Sequence, residues 1–219
     1  MAPTLLAASQ TALLPRSTMP VSREFGLDRG TAVDRYYIEL FLRRHARDIR
    51  GAVLEVGDAR YTQQFGEGVH TSDVLDVSST RRATLVGDLA GGAGLPRDAY
   101  DAIILTQVLP FLREPAAALR NVWSMLRPGG ALLATVPGIS QISRYEAERC
   151  GDYHRFTPQG FALLLDSAFG CSRYELASFG NVLSAAALLF GHAAQELRPD
   201  ELDALDPDYP VIIAARAMR

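Results

Sequence analysis

Four residues in the first half of the chain have the types and spacing to grip a small polar ligand: Glu55, Gly57, Asp76 and Asp88. Glu55 lies near the end of a short apolar, β-rich run over residues 52–56, and Gly57 stops that run. Asp76 falls at the end of the next run, over 69–77, and Asp88 follows a third over 83–86. In an open sheet of parallel strands these three carboxylates share the carboxyl edge, which is where ligands bind in α/β sheets. Asp76 stands 21 positions after Glu55 (76 minus 55), a distance at which an acid is placed to accept both hydroxyls of a ribose. Asp73 takes that role if the second strand ends three residues earlier.

A second constellation follows the fifth predicted strand, in Gly151-Asp152-Tyr153-His154-Arg155-Phe156-Thr157. His154 has the chemistry of a general base, and Asp152 is placed to orient it or to act itself. The competing structural reading is that His154 serves the start of the next helix. The remaining histidines, His45, His70 and His192, are scattered, and Cys150 and Cys171 lack metal-ligand spacing, so no metal centre is expected. His45 and His70 are expected to be solvent-exposed.

The elements that must position these residues are legible from periodicity. Val33, Tyr36, Tyr37, Leu40 and Phe41 recur at helical spacing, with Arg43, Arg44 and Arg47 toward the end, which predicts a helix closing near Arg50-Gly51. Further strands are predicted at 102–105 and 131–136, joined by a crossover helix over 115–126 and a turn at Arg127-Pro128-Gly129-Gly130. Thr157-Pro158 opens another helix that stops at Gly170, with a good N-cap and proline at its first position. A strand at 174–177, a helix at 182–190 and a last strand at 211–215 complete the pattern. Strands alternating with helices predict a doubly wound, mostly parallel α/β sheet of seven strands. Residues 1–30, with three prolines in the first 20, read as a flexible arm, and 31–219 as one domain.

Composition narrows the function classes. The net charge of -3 and pI of about 5.8 argue against a phosphate-backbone binder. All 22 basic residues are Arg. The N-terminal stretch lacks the order of a secretory signal, and no run approaches the ~20 apolar residues of a membrane span. A cytoplasmic protein acting on a small molecule, without nucleic-acid or membrane partners, is the expectation. The 182–190 helix reads as sheet-covering core, with a homodimer surface as the lesser reading.

Taken in order, Val53-Leu54-Glu55-Val56-Gly57, the acid after the second strand, Val86-Gly87-Asp88-Leu89, Tyr100-Asp101-Ala102-Ile103-Ile104-Leu105 and Leu126-Arg127-Pro128-Gly129-Gly130 resemble the class I S-adenosylmethionine-dependent methyltransferases. The turn Gly57-Asp58-Ala59-Arg60-Tyr61-Thr62 is similar to that of an actinobacterial branch acting on sugars and natural products. The resemblance implies a Rossmann-like sheet with an antiparallel last strand, S-adenosyl-L-methionine as cofactor, and methyl transfer to a small-molecule hydroxyl. It further implies that Gly57 and Asp58 line the cofactor turn, Glu55 faces the ammonium, and Asp76 holds the ribose. Asp88 would accept from the adenine amino group, Leu89 pack on the ring, and Thr106 and Gln107 lie beneath the sulfonium. Tyr37 would cover the cofactor from the N-terminal helix, although such a stripe is more often core. The chain departs from the family at Ala59 and Tyr61, where glycines are usual, which narrows the room for the cofactor tail. A catalytically inactive binding subunit is therefore the alternative reading. A nicotinamide oxidoreductase fits less well, because the turn lacks the Gly-x-Gly-x-x-Gly spacing that seats a pyrophosphate.

Overall fold

The structure, a computed structural model, describes residues 17–170 and 173–219. The arm before Ser17 and the cysteine at position 171 lie outside the described residues. The sheet is built from β1 (Gly51–Val56), β2 (Val69–Asp76), β3 (Leu85–Val86), β4 (Tyr100–Thr106), β5 (Leu126–Pro137), β6 (Tyr174–Phe179) and β7 (Ile212–Met218). Their spatial order is β3-β2-β1-β4-β5-β7-β6. All neighbours pair in parallel except β7, which runs antiparallel to both β5 and β6. The expected seven-stranded, mostly parallel sheet with an antiparallel last strand is thus the fold observed.

The central strands are nearly continuous apolar runs because both faces of the sheet are covered. On one face, α3 (Pro115–Met125) and α5 (Pro158–Phe169) pack Leu119, Val122, Phe161 and Leu165 onto Leu54, Ile103 and Leu132. On the other, α1 (Val33–Arg44) and α6 (Val182–Phe190) bring Tyr37, Phe41 and Leu188 over Val53, Ile104 and Leu133. Short helices α2 (Arg60–Phe65), α4 (Arg144–Arg149) and α7 (Pro199–Asp203) complete the chain. The Thr157 hydroxyl accepts from Gly160 N–H at 3.0 Å, which realises the N-cap that its sequence signals.

Several boundaries differ from expectation. The first helix ends at Arg44 rather than near Arg50, because His45 leaves helical geometry and a 3-10 turn, Ala46–Asp48, swings the buried Ile49 toward the sheet. Gly51 then enters β1 with φ +72°, where a Cβ would strike the Asp101 carboxylate. The Arg127–Gly130 stretch is drawn into β5 as an irregular start. His45 is half-buried with its ring 4.8 Å from that of Phe41, rather than free in solvent, and burial lowers its pKa.

Before α1, Val21 N–H donates to Phe190 O at 2.8 Å, and Ala32 forms an antiparallel bridge with Ala193. Residues 21–32 therefore lie along the end of α6 and the segment that follows it.

Candidate active site at the carboxyl edge

The turn after β1 is organised by Glu55. Only 2% exposed, its carboxylate accepts from Tyr61 N–H at 3.1 Å, from Thr62 N–H at 2.8 Å and from the Thr62 hydroxyl at 2.8 Å. These N–H groups belong to the first turn of α2, which has no intrahelical partners for them. Burial pushes the Glu55 carboxyl above its ordinary range, against the opposing pull of these bonds. The acid expected to face a ligand ammonium, directly or through water, is thus engaged by a helix start lying within its reach. Gly57, at φ +87°, has nothing within 4 Å of where a Cβ would sit, so the backbone there faces open space.

Tyr61, at a position where the resemblance implies glycine, turns inward. It is 3% exposed, stacks on Phe65 with ring centroids 6.2 Å apart, and its hydroxyl accepts from Arg35 Nη1 at 3.0 Å. The ring thus fills the core between α1 and α2 rather than the ligand edge. Asp58 caps the turn by accepting from Arg60 N–H at 3.0 Å and faces Arg82 at 3.8 Å.

Asp73 and Asp76 meet different surroundings. Asp73 is engaged inside the fold, accepting from the Thr84 hydroxyl at 2.7 Å and the Tyr100 hydroxyl at 3.0 Å, and burial with the nearby Asp73 charge pushes the Tyr100 hydroxyl above its usual range. Asp76 is the last residue of β2 and half-buried, with Oδ1 accepting from Ser78 N–H at 3.0 Å and the Ser78 hydroxyl at 3.2 Å. Asp88 is exposed after β3 and accepts from Ala90 N–H at 2.9 Å. Leu89 is 4% exposed and packed into the core, while its carbonyl accepts from Asn121 Nδ2 at 2.9 Å. Its side chain is therefore a floor under this edge, not an exposed ring contact.

Beyond β4 the chain reverses at Gln107, a non-glycine residue at φ +56° whose N–H donates to Thr135 O at 2.9 Å. Thr106, half-buried, pairs with Thr135 at the ends of β4 and β5. The 151–157 segment crosses these strand ends: Tyr153 N–H donates to Pro110 O at 2.9 Å, and Phe156 N–H to Pro137 O at 3.0 Å. His154 Nε2 lies 3.0 Å from Leu112 O. A carbonyl only accepts, so Nε2 carries the proton and Nδ1 is the basic nitrogen of the neutral ring. Asp152 is not available as a base. With 2% of its side chain exposed, it accepts from Ser143 N–H at 2.9 Å and takes Arg155 in a two-pronged pair at 2.6 and 2.9 Å. Burial alone would raise its carboxyl, but the Arg155 and Ser143 bonds outweigh that and hold it below the ordinary range.

Tyr37 is fully buried, with its ring 6.1 Å from that of Phe179 and its hydroxyl donating to Leu202 O at 2.9 Å. It is a core residue, because the sheet-facing stripe of α1 turns it inward. On α1, Arg35 reaches the Tyr61 hydroxyl and Glu39 lies 3.4 Å from Arg60 Nη2, with Asp34 beside Arg35. The Asp34 carboxyl is raised by burial, against the pull of Arg35, and accepts from Arg35 N–H at 2.7 Å. A cavity of about 400 Å³ lined by Asp58, Ala59, Arg60, Gln63, Val74 and Arg82 opens beside this turn. Among the described residues, no group of three or more His, Cys, Asp or Glu side chains is placed to hold a metal, and no helix is long and apolar enough to cross a membrane.

Residues 45–134 match the profile of a methyltransferase domain, a span that includes the turn and most of the edge just described. No curated protein matches the sequence. Among solved structures, the chain resembles 1,6-didemethyltoxoflavin-N1-methyltransferase of Burkholderia thailandensis, with 16% identity over 88% of this chain and 80% of that one and a TM-score of 0.55. It also resembles an S-adenosylmethionine-dependent methyltransferase of Mesorhizobium loti, at 17% identity over 88% and 100% of the two chains with a TM-score of 0.53. A SAM-dependent methyltransferase of Archaeoglobus fulgidus is 13% identical over 84% and 94%, with a TM-score of 0.53. At these identities the likeness is one of fold.

Proposed function

We propose that the protein is an S-adenosylmethionine-dependent methyltransferase whose acceptor is a small molecule, a hydroxyl of a sugar or natural product. The observation that carries this reading is the row of acids on adjacent parallel strands, Asp76 after β2 and Asp88 after β3, beside the left-handed Gly57 turn with open space above it. The cofactor supplies an electrophilic methyl group on a sulfonium. Asp76 binds the ribose hydroxyls, Asp88 accepts from the adenine amino group, and Gly57 and Asp58 line the amino-acid tail. Thr106 and Gln107 lie beside the reacting centre, where the chain need only align donor and acceptor for in-line displacement. His154 Nδ1 takes the acceptor proton.

The neighbour from Burkholderia thailandensis carries S-adenosylhomocysteine and its small-molecule substrate, which supports a small-molecule acceptor here. We place the protein in the cytoplasm. Isothermal titration with S-adenosylmethionine tests the reading: binding is expected, weakened by Asp76→Ala, and a chain that binds no cofactor is not this enzyme.

A further inference from the structure

The 140–155 excursion between β5 and α5 contains α4, a helix with no buried residue. Apolar burial therefore does not hold α4 in place, yet the excursion borders the candidate base. At its neck lies Arg155, whose guanidinium has five N–H donors. Nε donates to Ser140 O at 3.4 Å. Nη1 donates to Asp152 Oδ1 at 2.6 Å and to His154 O at 2.8 Å, and Nη2 to Gln141 O at 2.5 Å and Asp152 Oδ2 at 2.9 Å. All five donors are used, and every acceptor lies within the excursion. Asp152 adds the bond from Ser143 N–H, the residue that caps α4. The two ends of the loop are thereby closed on each other across one ion pair. Gln141 Nε2 extends the network to Arg23 O at 3.1 Å, in the segment before α1.

We infer that Asp152 and Arg155 are positioning residues that clasp the neck of the 140–155 excursion and, through the His154 carbonyl, fix the imidazole so that Nδ1 is presented at the ends of β4 and β5. Three bonds hold His154: Arg155 grips its backbone oxygen at 2.8 Å, its own N–H donates to Pro110 O at 3.3 Å, and Leu112 O takes Nε2–H. Releasing the first leaves the long bond to Pro110 O as the only backbone hold at His154 itself and so loosens the ring. A planar five-donor fork can satisfy Ser140, Gln141, Asp152 and His154 at once, which a lysine ammonium with three donors cannot. The catalytic meaning of the clasp rests on the methyl-transfer reading. The clasp itself does not.

The test uses Arg155→Lys and Asp152→Asn in the full chain. Trypsin cuts after lysine as well as arginine, so Arg155→Lys leaves the number of sites unchanged. Opening the neck is expected to speed cleavage after Arg144 and Arg149 by about tenfold or more, as for loss of a charge-assisted contact in a locally unfolding segment, while cleavage after Arg47 stays slow. In the parent protein, nitrogen NMR of the His154 imidazole should report one tautomer, protonated at Nε2, and in both variants a mixture. Unchanged proteolysis, or faster cleavage at Arg47 as well, would overturn the clasp. A single Nε2–H tautomer retained in an opened neck would overturn its positioning role. If Asp152→Asn does not fold, Arg155→Lys alone decides, since it keeps the positive charge on a partly exposed side chain. Failure of the parent chain to bind S-adenosylmethionine in calorimetry would sink the methyltransferase reading and leave these outcomes standing.

Discussion

The Glu55 carboxylate accepts the backbone N–H groups of both Tyr61 and Thr62 at 3.1 and 2.8 Å, tying the end of β1 to the first turn of α2. Glu55→Gln sets an amide NH2 against one of these buried donors where an oxygen had accepted, and the expected loss is about 1–3 kcal/mol of stability, read by chemical denaturation. The sign of the pH effect is also fixed. Because burial raises this carboxyl in the folded state above its ordinary value of 4.5, its contribution is greatest below that value and declines as pH rises through the raised one. Glu55→Gln should abolish this part of the pH slope.

Asp76 and Asp73 are expected to separate binding from stability. Asp76→Ala should weaken S-adenosylmethionine by about 1–3 kcal/mol with little change in melting temperature. Asp73→Ala strands the hydroxyls of Thr84 and Tyr100 and should lower the melting temperature while leaving affinity nearly unchanged. The reverse pattern in calorimetry and thermal melts would reassign the ribose site.

Tyr61→Gly, which places there the residue that the resemblance implies, should not improve cofactor binding, because the ring occupies core between α1 and α2 and not the ligand edge. Truncating an aromatic side chain this buried costs about 3–5 kcal/mol. Tyr61→Phe, which loses only the bond from Arg35, should cost about 1 kcal/mol. A tighter-binding Tyr61→Gly protein of full stability would contradict this placement.

The segment before α1 is expected to loosen in acid. Glu196 is bonded to Arg29, accepts from Ala193 N–H at 3.0 Å and lies 2.9 Å from His192 Nδ1. The Arg29 hydrogen bond leads in holding its carboxyl down to about 2. A depressed carboxyl contributes stability above its unfolded value that disappears as pH falls through the folded one. Hydrogen exchange over residues 26–31 should therefore rise, after correction for intrinsic rates, as pH falls from about 4.5 toward 2. Glu196→Gln should show fast exchange at every pH.

Strand positions, the parallel architecture and the 76-minus-55 spacing were legible in the amino-acid order, since short apolar runs, their polar stops and the Thr157-Pro158 cap are local signals. The sequence also placed Asp76 and Asp88 after successive strands, as observed. α2 and α4, six residues each, are too short to display a helical period. Tertiary structure alone decided what each side chain meets: that Glu55 serves α2, that Asp73 is sequestered by Tyr100, 27 positions away, and that Tyr37 bonds Leu202, 165 positions away. The physical reason is that periodicity sets which way a residue faces, whereas the partner waiting there is delivered by distant chain.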